Sequence, residues 1–133
     1  MTIGELKQLR ILASEIKAKH EVLKEAKANA YRITQIVSNV PKKNNGEGFS
    51  HAVLKAMMLA EEMQDVLNTM IEEFSKLYES ATQEISKVGN VQERMILEYR
   101  YLAYKSWYEI SSLMHFSKRR VLQLHKNAIK HFT

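Results

Sequence analysis

Two long stretches of the chain carry apolar residues at the spacing that packed helices require. Residues 3–40 repeat them every three or four positions, in a row that runs through one histidine. The members of this row are Leu6, Leu9, Ala13, Ile16, His20, Leu23, Ala26, Ala30, Ile33, Val37 and Val40. Residues 50–88 repeat them every seven positions in two rows, which are Ala60, Leu67, Phe74, Ala81 and Val88, and Ala56, Met63, Met70 and Leu77. The pattern predicts one helix from Ile3 to about Asn39 and another that starts near Ser50, packed as in a coiled coil.

Residues 41–50 interrupt this pattern, because they hold the only proline and two of the four glycines. We predict an exposed linker there. The two stretches that it joins differ in charge: residues 3–40 carry a net charge of +3 and residues 50–88 a net charge of −4. Opposite charges favour pairing of the two helices with each other. Residues 1–89 are therefore predicted to form a long antiparallel helical hairpin.

A hairpin of two helices buries little apolar surface by itself. We therefore expect it to self-associate, with a homodimer favoured, although the pattern does not decide whether the helices pair within or between chains. The residues predicted to form the oligomerisation surface are Ala60, Met63, Leu67, Met70, Phe74 and Leu77.

Residues 90–133 carry the start signals of three shorter helices. Asn90 with Glu93 forms a capping box that opens a helix from Val91 to about Ala103. Ser106 with Glu109 forms another, and Ser117 offers an N-cap to a longer helix. The last two helices are separated only by a short turn at His115 and Phe116. The fold class predicted for the whole chain is therefore all-α, with a C-terminal three-helix helix-turn-helix domain after the hairpin.

The helix-turn-helix pattern also fits position by position. It requires one small residue and several apolar residues at fixed places, and the chain supplies Ile110, Ser111, Met114, Phe116, Val121 and Leu124. The turn normally takes glycine, because its backbone needs a positive φ. This chain has His115 there, a residue type that tolerates the left-handed region better than most.

The predicted last helix presents a polar arc opposite its apolar side. At 100° per residue, cations and amides fall within about 120° of one another. These residues are Arg119, Arg120, Gln123, Lys126, Asn127 and Lys130. Arginine can bond a guanine edge and an amide can bond adenine, while nearby cations meet phosphates. An ordinary solvated face is the alternative, but the arc contains no acidic residue.

The charge of the chain is concentrated in the same region. Residues 1–89 sum to zero, whereas residues 90–133 carry the whole net charge of +5. A basic module attached to a neutral one indicates a polyanionic partner, with nucleic acid the first candidate.

Other kinds of chemistry find little support in the sequence. The chain has no cysteine, and its five histidines lack the spacing of metal ligands. We see no catalytic motif, so we expect no enzymatic activity, no catalytic residues, no metal and no cofactor. The aromatic residues near the C-terminal helices are interpreted as packing, and His125 and His131 as residues that line a core edge or touch phosphate. No apolar run approaches a membrane span, so we expect no membrane association.

Three runs of the C-terminal part resemble the domain of sigma factors that reads the promoter −35 element. They are residues 93–101, 105–110 and 116–121. The same runs are similar to small phage regulators of the ArpU/RinA type, which are late-gene activators with a helical N-terminal part. The resemblance implies that Ser117, Lys118, Arg119, Arg120 and Gln123 lie at the groove-entering start of a recognition helix. It also implies a phage or prophage activator that works on double-stranded DNA in the cytoplasm of a bacterial host.

Two other functions stay open on the sequence. A small terminase subunit, which recognises phage DNA for packaging, also combines a helix-turn-helix with long helices and assembles into rings. A sigma-like adaptor that binds RNA polymerase would use the hairpin as its working surface and touch DNA little. The sign of regulation and the DNA sequence that is recognised do not follow from the residues.

Overall fold

Helices account for nearly all of the chain that the structure describes. The structure is a computed structural model that describes the backbone of residues 1–39 and 46–132 and the side chains of residues 1–36 and 51–132. The long helices are α1 (Ile3–Asn39) and α2 (Gly46–Ser86), and the shorter ones are α3 (Val91–Leu97), a π-helical turn (Glu98–Leu102), α4 (Trp107–Met114), α5 (Lys118–Ala128) and a 3-10 turn (Ile129–His131). No strand occurs among these described residues, and the predicted all-α class is confirmed.

The bounds of the long helices follow the predicted ones closely at three of their four ends. The exception is α2, which begins at Gly46 instead of near Ser50. One glycine costs a helix only about 1 kcal/mol, so Gly46 and Gly48 do not prevent the earlier start. The rest of the predicted linker, up to residue 45, lies outside the described residues.

The chain divides into two compact units, and both long helices contribute to each of them. The smaller unit is Ser14–Glu72, and the larger unit combines Met1–Ala13 with Glu73–Thr133. The division predicted from the sequence, between residues 89 and 90, differs from this one. Each unit is described separately below.

The smaller unit is an antiparallel pair of helices with a narrow apolar seam. Leu23 of α1 packs with Ala60 and Leu67 of α2, and all three side chains are buried. Lys27 of α1 donates a hydrogen bond of 3.1 Å to the side-chain carbonyl of Gln64. Only residues 40–45 separate these two packed helices, a link too short to run back along the length of α1, so the helices run in opposite directions within one chain, as the predicted hairpin requires.

One member of the predicted α1 row lies outside the seam. His20 is exposed, although it shares helical spacing with the buried Leu23. An imidazole in an apolar seam would need a hydrogen-bond partner, and exposure to water supplies one. Val37 and Val40, the last members of that row, lie outside the residues whose side chains are described.

The larger unit has a core that joins the two ends of the hairpin to the C-terminal helices. Leu6 and Leu9 of α1 are fully buried in it. The other buried members are Ala81, Ile85, Val88, Leu97, Tyr101, Ala128 and Phe132. The first turns of α1 and the last turns of α2 therefore fold as part of the same core as residues 97–132.

The end of α3 and the π-helical turn after it give the larger unit two cores instead of one. Leu97 and Tyr101 face the core that contains Leu6, whereas Ile96 and Tyr99 face a second core under α4 and α5. The ends of the hairpin helices are the neighbours that cover Leu97 and Tyr101. The predicted single helix to Ala103 instead widens into a π-turn, in which the Ala103 amide donates to the Glu98 carbonyl at 2.9 Å.

The six residues predicted for oligomerisation are all buried or half-buried in the single chain. They are Ala60, Met63, Leu67, Met70, Phe74 and Leu77. Ala60 and Leu67 belong to the seam with α1, and Phe74 and Leu77 pack against the larger unit's core. Self-association through this row stays a prediction, and it requires a partner subunit to take the place of α1.

Candidate nucleic-acid interface

The first helix of the candidate interface, α4, begins with a reciprocal capping box. The Glu109 amide donates to the Ser106 hydroxyl at 3.1 Å, and the Ser106 amide donates to the Glu109 carboxylate at 3.2 Å. The hydrogen bonds from Ser106 lower the pKa of Glu109. The predicted helix start is therefore confirmed, and two otherwise free backbone donors are satisfied.

The turn after α4 has the left-handed backbone that the pattern requires, in spite of its histidine. His115 has φ 58° and ψ 35°. The Phe116 amide donates to the Ser111 carbonyl at 3.2 Å, and the Ser111 hydroxyl donates to the Phe116 carbonyl. Ser111, the small residue of the pattern, is thus hydrogen-bonded to Phe116 through both its carbonyl and its hydroxyl group. These two bonds hold His115 in a conformation that costs an L-residue about 1–2 kcal/mol.

The second helix, α5, is fixed by its own cap and by the second core. The Ser117 hydroxyl accepts from the Arg120 amide at 3.1 Å. Four buried side chains form the core, with Trp107, Met114, Phe116 and Tyr99 packed around them; the four are Ile96, Ile110, Val121 and Leu124. The predicted apolar positions of the helix-turn-helix pattern therefore all lie in one core, which sets α5 against α4 and α3.

The structure leaves the predicted DNA-binding residues on the outside of this arrangement. Seven of the eight are exposed, namely Ser117, Lys118, Arg119, Arg120, Gln123, Lys126 and Lys130, and Asn127 is half-buried. Six lie within α5 itself, while Ser117 caps it and Lys130 falls in the 3-10 turn after it. Because α5 ends at Ala128, Lys130 leaves the strict 100° progression on which the arc was drawn.

The exposed face of α5 has uncompensated positive charge. The helix contains no Asp or Glu. Within the described part of the chain, none of its arginines and lysines forms an ion pair. Cations without an internal partner stay available to an external anion, and an extended row of them matches the repeated charge of a nucleic-acid backbone.

The inner side of α5 is held by an aromatic cluster around His125. The Tyr101 hydroxyl and the His125 Nε2 share a hydrogen bond of 2.7 Å, and the Trp107 ring packs edge-on against the imidazole at 4.7 Å between centroids. The Arg100 guanidinium lies over the Trp107 ring at 4.1 Å. Burial, with smaller contributions from Arg100 and Lys7, lowers the pKa of His125 to about 4. His125 is therefore neutral near pH 7 and lines a core edge, one of the two roles expected from the sequence.

A brace from α1 was not predicted. The Arg10 guanidinium donates to the Arg100 carbonyl at 2.9 Å and to the Lys105 carbonyl at 3.4 Å. Arg100 itself donates to the Lys105 carbonyl at 3.2 Å. The two bonds of Arg10 cross 90 and 95 residues of sequence. They fix the bend that leads into α4, where Tyr104 also has a positive φ of 57°.

Two further side chains, His131 after α5 and Tyr108 in α4, lie near the candidate interface. His131 Nε2 lies 2.9 Å from a carboxylate oxygen of Glu93, so this histidine closes the end of α5 onto α3. Tyr108 is 78 % exposed, unlike the other aromatic residues of this region. Within the described residues, no group of three or more His, Asp or Glu side chains is arranged to hold a metal ion.

Comparison with protein-family models, curated proteins and solved structures finds no match to this chain. The described helices include none that is both long enough and apolar enough to cross a membrane.

Proposed function

We propose that this protein is a sequence-specific regulator of transcription that binds double-stranded DNA through α5. The observation that carries the proposal is the exposed, acid-free face of α5 on a pair of helices whose apolar positions and left-handed turn follow the helix-turn-helix pattern. A helix of this kind fits the major groove, where base edges and phosphates are both within reach. The resemblance to late-gene activators of phages supplies the more specific proposal of a phage or prophage activator.

The residues of the face divide into two roles. Arg119, Arg120 and Gln123 are proposed to read base edges, since bidentate donors and amides discriminate between bases. The remaining residues are proposed to hold phosphates, and they are Ser117, Lys118, Lys126, Asn127 and Lys130. Phosphate contacts position the protein and supply most of the salt-dependent affinity, whereas base contacts supply the specificity.

The test is selection of binding sites from random duplex DNA with the purified protein, followed by affinity measurements on the enriched site and on scrambled DNA. Gln123→Ala is expected to weaken binding to the enriched site by roughly 1–3 kcal/mol while leaving scrambled DNA almost unaffected. Lys126→Ala is expected to weaken both kinds of DNA alike and to reduce the salt dependence by about one unit of slope.

Two matched variants control for nonspecific effects. Gln92→Ala removes an exposed glutamine of α3, and Lys87→Ala removes an exposed lysine near the end of the hairpin. Neither is expected to change DNA affinity. Equal losses on enriched and scrambled DNA for Gln123→Ala would refute base reading by that residue. No binding to any duplex at low salt would refute the whole proposal and favour the adaptor that binds RNA polymerase.

A further inference from the structure

The exposed side of α5 holds one large apolar side chain among its cations and amides. Leu122 is 39 % exposed, and it is the only exposed large apolar residue of α5, whose side chains all lie in the described part of the chain. A single exposed leucine is ordinary on a protein surface and by itself indicates nothing. What distinguishes Leu122 is its position beside residues that are proposed to contact DNA.

Leu122 points away from the core that holds α5 in place. At 100° per residue, it lies about 100° from Val121 and about 160° from Leu124. Those two side chains are buried and pack with Ile110 of α4. Packing of α5 against α4 is therefore supplied by other residues and does not explain a leucine at this exposed position.

Three cations surround Leu122 on the surface of the helix. Lys118 and Lys126 lie four residues before and after it, about 40° to either side and about 6 Å away along the helix axis. Arg119 lies three residues before it. In the described part of the chain, none of the three cations forms an ion pair. This flank of α5 thus presents an apolar group between two lysines that are free to meet the phosphates of one DNA strand.

The major groove supplies an apolar partner for a side chain in such a place. The C5-methyl group of thymine is the apolar group in the pattern that base pairs display there, and apolar side chains contact it. It is also the outermost of the groups that an A·T pair shows across the groove, beside the backbone of its own strand. A side chain that lies between two phosphate-binding lysines therefore meets this methyl group before the acceptors nearer the centre of the groove.

We propose that Leu122 recognises the methyl group of a thymine in the DNA site of this protein. The thymine belongs to the strand whose phosphates meet Lys118 and Lys126. Gln123 follows Leu122 directly and lies at the centre of the polar arc, where its amide suits adenine. The two neighbours together select A·T pairs in this part of the site. This inference rests on the proposed binding of duplex DNA by α5, to which it adds a particular base and the residue that reads it.

Removal of single methyl groups from the DNA tests this contact. Each thymine of the enriched site is replaced in turn by deoxyuridine, which pairs with adenine in the same way and lacks only the methyl group. We expect one thymine, or one in each half of a two-fold site, at which the wild type loses affinity about four-fold, because one buried apolar carbon is lost.

Leu122→Ala is expected to abolish the difference at that thymine. This variant should bind the thymine and deoxyuridine duplexes equally well, and the thymine duplex about ten-fold more weakly than the wild type does. Leu122→Met nearly conserves the volume and the apolar character, so it should keep most of the preference for thymine. Circular dichroism should be unchanged for both variants, because the position is exposed and both new residues are good helix formers.

Two further variants control for effects that do not involve the methyl group. Leu113→Ala truncates a leucine of α4 that is 49 % exposed, and it should retain the wild-type preference for thymine over deoxyuridine. Lys126→Ala should weaken binding to both duplexes by the same factor and so retain the preference as well, because a phosphate contact carries no information about the base.

The outcomes separate the role of Leu122 from DNA binding itself. An enriched site without thymine, or one in which no deoxyuridine weakens binding, would overturn the role of Leu122 and leave the proposed function standing. A preference for thymine that persists in Leu122→Ala would also overturn it, since another residue would then contact the methyl group. Absence of binding to any duplex would refute the proposed function and this inference with it.

Discussion

The two units of this chain are built from the same long helices but hold them by different means. Among the residues whose side chains are described, the larger unit contains 14 of the 18 buried apolar residues, and 13 of these form two cores to which every helix of the chain contributes. The smaller unit contains the other four, three of which form a single seam. Conversely, nine of the 14 large exposed apolar residues of this described part lie in the smaller unit.

The difference follows from the number of neighbours that each helix has. A helix in the larger unit packs against two or more others, so its apolar side is covered on several flanks. In the smaller unit each helix has one neighbour, and residues on the flanks of the seam stay in water. Two helices bury too little area to be strongly stable alone. We therefore expect mutations in the larger unit to have larger effects than equivalent ones in the smaller unit.

The largest effect is expected in the core under α5. Ile110→Ala removes a fully buried side chain between α4 and α5 and should lower the free energy of unfolding by about 3 kcal/mol. Chemical denaturation measures this change. The control is Leu113→Ala in the same helix, where 49 % of the side chain is exposed and the loss should stay below about 1 kcal/mol. Similar losses for the two variants would show that α4 does not bury the side that we describe.

A smaller effect is expected from the brace between α1 and the bend before α4. Arg10→Ala removes hydrogen bonds to two carbonyls and should cost about 1–2 kcal/mol. Arg32→Ala is the matched control in the smaller unit, because this exposed arginine bonds only Asn29 of its own helix. It should cost less than about 0.5 kcal/mol. Equal effects of the two variants would argue against a specific role of Arg10 in the larger unit.

The two units are also expected to differ in how their stability depends on pH. The pKa of His125 falls to about 4 in the folded chain, below its ordinary value of about 6.5. Between these values the unfolded chain binds the proton and the folded chain does not, so stability is complete above about pH 6.5 and declines toward pH 4. Because the imidazole is only half-buried, we expect this group to contribute about 1 kcal/mol to the free energy of unfolding. The thermal unfolding of His125→Gln, followed from pH 7 to 4.5, should lose this part of the pH dependence. His20→Gln, at an exposed site of the smaller unit, should keep it.

The smallest effect is expected at the turn between α4 and α5. His115 occupies the left-handed region with φ 58°, which glycine adopts without strain. His115→Gly is therefore expected to stabilise the larger unit by about 0.5 kcal/mol, after the greater flexibility of glycine in the unfolded chain is subtracted. His115→Val should destabilise it, since a β-branched residue is poorly accommodated there. A shift in the opposite direction for both variants would contradict the turn conformation.

Local patterns were sufficient to predict the elements of this fold. The N-caps at Asn90, Ser106 and Ser117, the seven-residue repeat of α2 and the helix-turn-helix positions each involve residues within a few turns of one another, so short-range chemistry determines them; of the two predicted capping boxes, the reciprocal bond forms at Glu109 but not at Glu93. The positions of Ile110, Ser111, Val121 and Leu124 were correct because helical spacing fixes which residues share a side. The exposed face of α5 followed for the same reason, since its apolar positions define the opposite side.

The contacts between distant segments could not be predicted in this way. The hydrogen bonds of Arg10 to the bend before α4, the shared core of Leu6, Ile85 and Phe132, and the π-turn that gives Leu97 and Ile96 different cores depend on three-dimensional packing. No local signal distinguishes Arg10 from the other cations of α1.

The sequence alone determined the helices, their caps, the turn at His115 and the acid-free face of α5, because each depends on the spacing of near neighbours. The tertiary structure decided that the ends of the hairpin fold into the core of the C-terminal helices. It also turned the predicted oligomerisation row toward α1 and left Val22, Leu59 and Val66 exposed. These outcomes depend on which apolar surfaces pack closely against each other. The surfaces belong to segments far apart in the sequence, so the choice between them is made only when the whole chain folds.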